Sequence, residues 1–307
     1  MPEFQLYKKR DFSALMSDTM QFFKQFWKNY FRNYVIINGA LLLLMCVLYF
    51  LVFKDLFKSM LTPNLASGYW LKQTNNLGLF VGGIILFILV SIALSVFSTA
   101  FPMVYLKLLK TKGEDSFTSA EIFDGIKSYA GRIIVYGLIS LLIMIPLGII
   151  VFGLGALLSI LIIGIPLLIL ALPTFMVWNM QALYVYLEED LGYFTALGKG
   201  WKITFEKYWH VVGAAIVSFM FVMIVSSVFN MVPAIMMMTS VFTSGGRPEA
   251  MTMTPTMLVF YVLGMIFSFI ANNVLYVQQG LVYYSSQENS VNYQAYSEID
   301  NIGNDEE

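Results

Sequence analysis

The residues able to do chemistry are few and far apart. His210 is the only histidine and Cys46 the only cysteine. A single imidazole can act as a general base or as one metal ligand. Without a second His or Cys, His210 builds no multi-histidine metal site or relay. It follows Trp209 at the mouth of an apolar stretch, where an amphipathic ring serves as an anchor. Cys46 excludes an internal disulfide and a cysteine cluster, and in its apolar run it reads as a small hydrophobe. Gly153 and Gly155 lack the Lys and Ser/Thr of a phosphate loop. Met236, Met237, Met238, Met251, Met253 and Met257 carry thioethers suited to Cu(I). With no His or Cys to extend a copper path, they read as flexible apolar filler. Glu188, Glu189 and Asp190 stand near Lys199 and Lys202. They form either a cation or headgroup site, or acids favouring the positive start of the helix that follows. The expectation is a protein that is not an enzyme, with no catalytic residue, cofactor or metal.

The elements that hold these residues are set by where charge is missing. Hydrophobic residues make up 58% of the 307-residue chain and charged ones 12%, against about 25% charged in soluble domains. Such a chain cannot coat a water-facing surface. Ile133 to Leu187 is an uncharged run of 55 residues, and one bilayer crossing needs roughly 20. That run holds two crossings, with Gly148, Gly153 and Gly155 as the expected turn. Val35–Phe53 and Gly78–Leu106 give two more. The windows from Lys207 to Arg247 and from Glu249 to Glu288 give the last two, starting near Trp209 and Thr256. Pro146, Pro166 and Pro173 interrupt the third and fourth spans. Each removes a backbone donor and reads chiefly as a kink, although broken helices also build transporter sites.

Orientation follows from Lys and Arg. With a cytoplasmic N-terminus, 14 of the 18 basic residues fall on the inner side, which places both termini in the cytoplasm. The start of the chain, polar and basic, shows no cleavable signal peptide. Three amphipathic segments on that side precede the odd-numbered spans. The first carries Phe12, Leu15, Phe22, Phe23, Phe26, Trp27, Tyr30 and Phe31 on one face, with Lys24, Lys28 and Arg32 opposite. This is the pattern of a helix lying in the membrane plane. Ser116–Arg132 and Asp190–Tyr208, the latter with Lys199, Lys202 and Trp201, look like copies of it. The expected fold is an all-α polytopic membrane bundle of six transmembrane helices and three cytoplasmic-side interfacial amphipathic helices. Its parts are an N-terminus with an in-plane helix (1–34), a transmembrane domain (35–284) and an acidic tail (285–307). The simplest plan is three copies of in-plane helix, outward span and inward span.

Several pieces together resemble a loosely defined bacterial superfamily of six-span membrane proteins. It includes the membrane domain attached to some glycerophosphodiester phosphodiesterases. The pieces are the Phe-rich helix before the first span, the Gly/Pro-interrupted third and fourth spans with Pro173 and Trp178, Glu188-Glu189-Asp190 followed by Ala196, Trp201 and Trp209, and a last span ending Gln278-Gln279-Gly280-Leu281-Val282-Tyr283-Tyr284. The resemblance implies a bacterial inner-membrane location. The catalytic domain of those phosphodiesterases has no counterpart in these residues, so it implies no hydrolysis and carries over no active-site residue.

No Asp, Glu, Lys or Arg falls inside the expected spans, which argues against ion-coupled transport. The polar side chains there include Asn179, Gln181, Asn272, Asn273 and Gln278. They read as hydrogen bonds between helices or as the lining of a passage for a neutral amphiphile. Lys24, Lys28, Arg32, Trp27, Lys199, Lys202 and Trp201 are the candidate contacts to anionic headgroups or to a partner protein. Expected partners are membrane lipids and other membrane proteins, not nucleic acid. The leading function is an accessory or scaffold subunit of a larger inner-membrane complex. The alternative is a transporter or handling factor for lipid or a small neutral amphiphile, and an intramembrane enzyme ranks last.

Overall fold

The computed structural model describes residues 4–60, 77–113, 117–160, 162–243 and 254–291. Over these residues the chain is all-helical. The helices are α1 (Phe12–Met60), α2 (Leu77–Lys112), α3 (Ser119–Ser159), α4 (Gly164–Glu188), α5 (Tyr193–Glu206), α6 (Tyr208–Thr243) and α7 (Pro255–Val291). All but the 14-residue α5 are long and apolar enough to cross a membrane, which gives six spans.

The amphipathic segments take a different form from in-plane helices. The first is continuous with its span in α1, so residue 34 falls inside a helix. The second is continuous with its span in α3. Only the third is a separate helix, α5, set off from α6 by the non-helical Lys207. The apolar face of the first is an internal face: Phe22 and Tyr30 are 0% exposed, while Trp27 on the other side is 53% exposed. Aromatic periodicity does mark the buried side of a helix. Here that side is covered by Phe101, Tyr105 and Phe4 of the same chain and not by lipid.

The turn between α3 and α4 also departs from expectation. Gly148, Gly153 and Gly155 are helical, and Ile160, Ile162 and Ile163 lie between the two helices, with Ile162 at φ +66°. Of the glycines here, Gly155 and Gly164 serve packing: a Cβ on Gly164 would stand 2.1 Å from the Gly155 carbonyl oxygen, so the hairpin closes backbone to backbone. Pro146 and Pro173 lie inside continuous helices. Pro166 occupies the first turn of α4, where its missing N–H costs nothing.

The chain divides into two compact units. One takes residues 1–33, 99–219 and 273–307, the other 34–98 and 220–272. The first is centred on Leu15, Val177, Val212, Ala214, Leu275 and Leu281. The second packs lengths of α1, α2, α6 and α7, with Leu94 buried, Phe229 stacked on Phe267 at 4.4 Å and the Tyr34 hydroxyl 3.1 Å from Ser98 Oγ.

Candidate functional site

A basic cleft lies in the first unit. Lys24, Lys28 and Arg32 recur every four residues, which aligns them along one face of α1. Trp27 stands beside them, with the Lys28 ammonium 5.9 Å from its ring centre. The facing wall is Phe117, Thr118 and Ser119 at the start of α3, and Gln25, Asn29 and Asn33 complete a cavity of about 750 Å³. Two local devices fix that wall. Thr118 caps α3 by accepting from the Glu121 N–H, while the Glu121 carboxylate accepts from the Thr118 N–H at 2.7 Å, a reciprocal capping box. Ser119 Oγ donates to Asn33 Oδ1 and ties α3 to α1. Among the described residues no carboxylate lines the cleft. Among the described residues none of its three cations is in an ion pair. Glu114 and Asp115, which precede Phe117, lie outside the described residues.

The acidic triplet at the end of α4 is committed elsewhere. Each acid meets a cation from a different helix: Glu188 meets Lys107 of α2 at 3.6 Å, Glu189 meets Lys199 of α5 at 2.6 Å, and Asp190 meets Arg132 of α3 at 2.8 Å. Glu188 also accepts from the Tyr129 hydroxyl at 2.8 Å, and Glu189 from Gln287 Nε2 at 3.0 Å. This is a clasp that gathers α2, α3, α5 and α7 around the end of α4. It replaces both the cation site and the helix-start role weighed from sequence. Lys199 is therefore spent on Glu189, and none of Lys199, Lys202 and Trp201 lines the basic cleft. Trp201 instead joins an aromatic ladder, edge-on to Trp178 at 5.0 Å and stacked on Phe205 at 3.9 Å. Lys202 is exposed.

The five intramembrane candidates bind their own chain. Asn179 accepts from the Tyr136 hydroxyl at 3.0 Å and from Ser140 at 3.3 Å. Gln181 donates to Gln279 Oε1 at 2.9 Å, and Asn273 accepts from the Tyr30 hydroxyl at 2.8 Å. Asn272 donates to the Ser268 carbonyl at 2.8 Å, and Gln278 donates to the Met16 sulfur at 3.3 Å. These contacts favour the packing role over a passage. Of the methionines, Met251 and Met253 fall outside the described residues, as does the acidic tail from residue 292.

One feature carried no signal in the sequence reading. Residues 4–11 form a strap docked on the first unit. The Arg10 side chain is fully buried. Its Nε donates to Asp18 at 2.9 Å, and its other nitrogens donate to the carbonyls of Gln5, Leu6 and Lys8. Burial pulls the Arg10 guanidinium below its ordinary pKa, and Asp18 counters that pull. The Arg10 N–H donates to Ser285 Oγ at 3.0 Å, and Tyr7 packs edge-on against Tyr284. Arg10 precedes the first helix, so no helical spacing connects it to Asp18.

The fold and these sites define an all-α, multi-pass membrane protein of six spans. Comparison with protein-family models, curated proteins and solved structures gives no match for this chain.

Proposed function

We propose that this chain is a non-catalytic subunit of a larger assembly in a bacterial cytoplasmic membrane, with both termini in the cytoplasm. The observation that carries the reading is the bareness of the most apolar stretch of α3. Only 6% of its most apolar window is buried within the chain, against 22–39% for the other five spans. Leu138, Leu141, Leu142, Ile145 and Ile149 of this helix are all exposed, Leu142 at 77%. In lipid, apolar exposure by itself drives no association, so a span is held by packing and hydrogen bonds. A stretch of span left this bare, beyond the part of α3 that packs on α4, is available to another subunit. The binding of each intramembrane Asn and Gln candidate within the chain supports a scaffold over a conduit.

The test is Leu142→Cys in a Cys46→Ser background, crosslinked in native membranes and purified in mild detergent. A discrete adduct of fixed mass with a stoichiometric membrane protein is expected. A lone monomer, uncrosslinked throughout, overturns the proposal. The alternative reading, lipid handling, is favoured by the basic cleft.

A further inference from the structure

The cleft between α1 and the start of α3 has chemistry of its own. We infer that it is a binding site for the phosphate headgroup of one anionic phospholipid. Lys24, Lys28 and Arg32 span about 12 Å along α1, from the helical rise of ~1.5 Å per residue. Two ammonium point charges and one bidentate guanidinium fork face one side of the cavity. The hydroxyl-bearing residues Thr118 and Ser119 line the other. The volume of about 750 Å³ admits a glycerophosphate group and not merely an ion. Depth in the membrane selects the source of the phosphate. Arg32 is the last charge before residues 33–53, which carry none, so the cleft sits where polar chain gives way to chain fit for hydrocarbon. Trp27, 53% exposed beside it, is the residue type that settles at headgroup level. The inference does not rest on the scaffold reading, because a chain with no protein partner could hold the lipid equally well.

The test uses the full chain in nanodiscs of phosphatidylcholine with a minor fraction of phosphatidylglycerol, and counts lipid retained by native mass spectrometry. Retention saturating at one phosphatidylglycerol per chain is expected. Each basic residue near the surface is worth about fivefold, so Lys24→Gln/Lys28→Gln/Arg32→Gln should weaken retention roughly a hundredfold. Lys9→Gln/Lys127→Gln, which removes exposed charge outside the cleft, should change it by less than about twofold. A phosphatidylglycerol bearing a photoreactive headgroup should label residues 24–33 or 117–119 of the unmodified chain, which covers the case of a triple variant that misfolds. Wild-type retention by a folded triple variant overturns the inference, as does equal loss in the control variant or labelling confined to other peptides. Displacement by an equal concentration of glycerol 3-phosphate assigns the cleft to soluble phosphate and overturns the lipid source.

Discussion

Arg10 is the most deeply committed cation among the described residues. Its side chain is fully buried, that of Asp18 is 7% exposed, and three backbone carbonyls take three of the four other guanidinium donors. Moving two charges out of water is costly, so such a pair adds little net stability against an apolar replacement of both partners. Removing one partner is different, because it strands the other. Asp18→Asn should therefore destabilise the first unit by about 3 kcal/mol, since Arg10 keeps only neutral acceptors. Lys8→Met should cost under about 1 kcal/mol, because Lys8 is half-exposed and Asp18 retains Arg10. Denaturant titration in detergent micelles, with proteolysis of residues 4–11 as a local readout, checks the pair. Equal effects would mean that the strap is not held by this contact. The clasp at Glu188, Glu189 and Asp190 belongs to the same scale. The three residues were legible as a group with Lys199 nearby, but Lys107 and Arg132 were not, because they come from two other helices at sequence distances that no spacing rule connects.

At the level of elements, α4 and α5 meet through glycine. A Cβ on Gly200 would lie 2.5 Å from the backbone nitrogen of Ala182 and 2.7 Å from its Cα, whereas a Cβ on Gly198 meets nothing within 4 Å. The two positions share one helix and one residue type, so they separate packing from helix propensity. Gly200→Ala forces α5 away from α4 and should cost about 1–3 kcal/mol. Gly198→Ala should stabilise by roughly 0.5–1 kcal/mol through propensity alone. Thermal unfolding of the two variants in matched detergent decides it, and a neutral Gly200→Ala would show that the helices do not touch there. The sequence shows the number of spans well, because a missing charge over some 20 residues has few explanations. It shows their destination poorly. The period of Phe22, Phe26 and Tyr30 states that one face of α1 avoids water. It cannot say whether lipid or Phe101 and Tyr105 will cover that face, since both are equally apolar to the pattern. The α3–α4 turn was hidden for a related reason. Turns in water advertise Gly and Asn, whereas this one is built from Ile160, Ile162 and Ile163, with the nearby glycines used for close approach.

For the molecule as a whole, six helices are long and apolar enough to cross a membrane, and the asymmetry of Lys and Arg predicts that both termini lie in the cytoplasm. The hairpin tip is the sharpest probe of this arrangement. Ile162 is 75% exposed and follows the third span directly, so it belongs on the side opposite both termini. In a Cys46→Ser background, Ile162→Cys should react with a membrane-impermeant maleimide added to intact cells whose outer barrier has been opened. Lys9→Cys and Ser286→Cys should react only after the cytoplasmic membrane is breached. The electrostatic argument and the span count make separate demands on this experiment. If positions 9 and 286 label together from outside, the span count stands and the charge rule fails. If they label from opposite sides, one of the six helices does not cross, and α4 is the first to suspect: its hydropathy is 1.5 against 2.0–2.7 for the others, and its C-terminal end is held by the three-cation clasp.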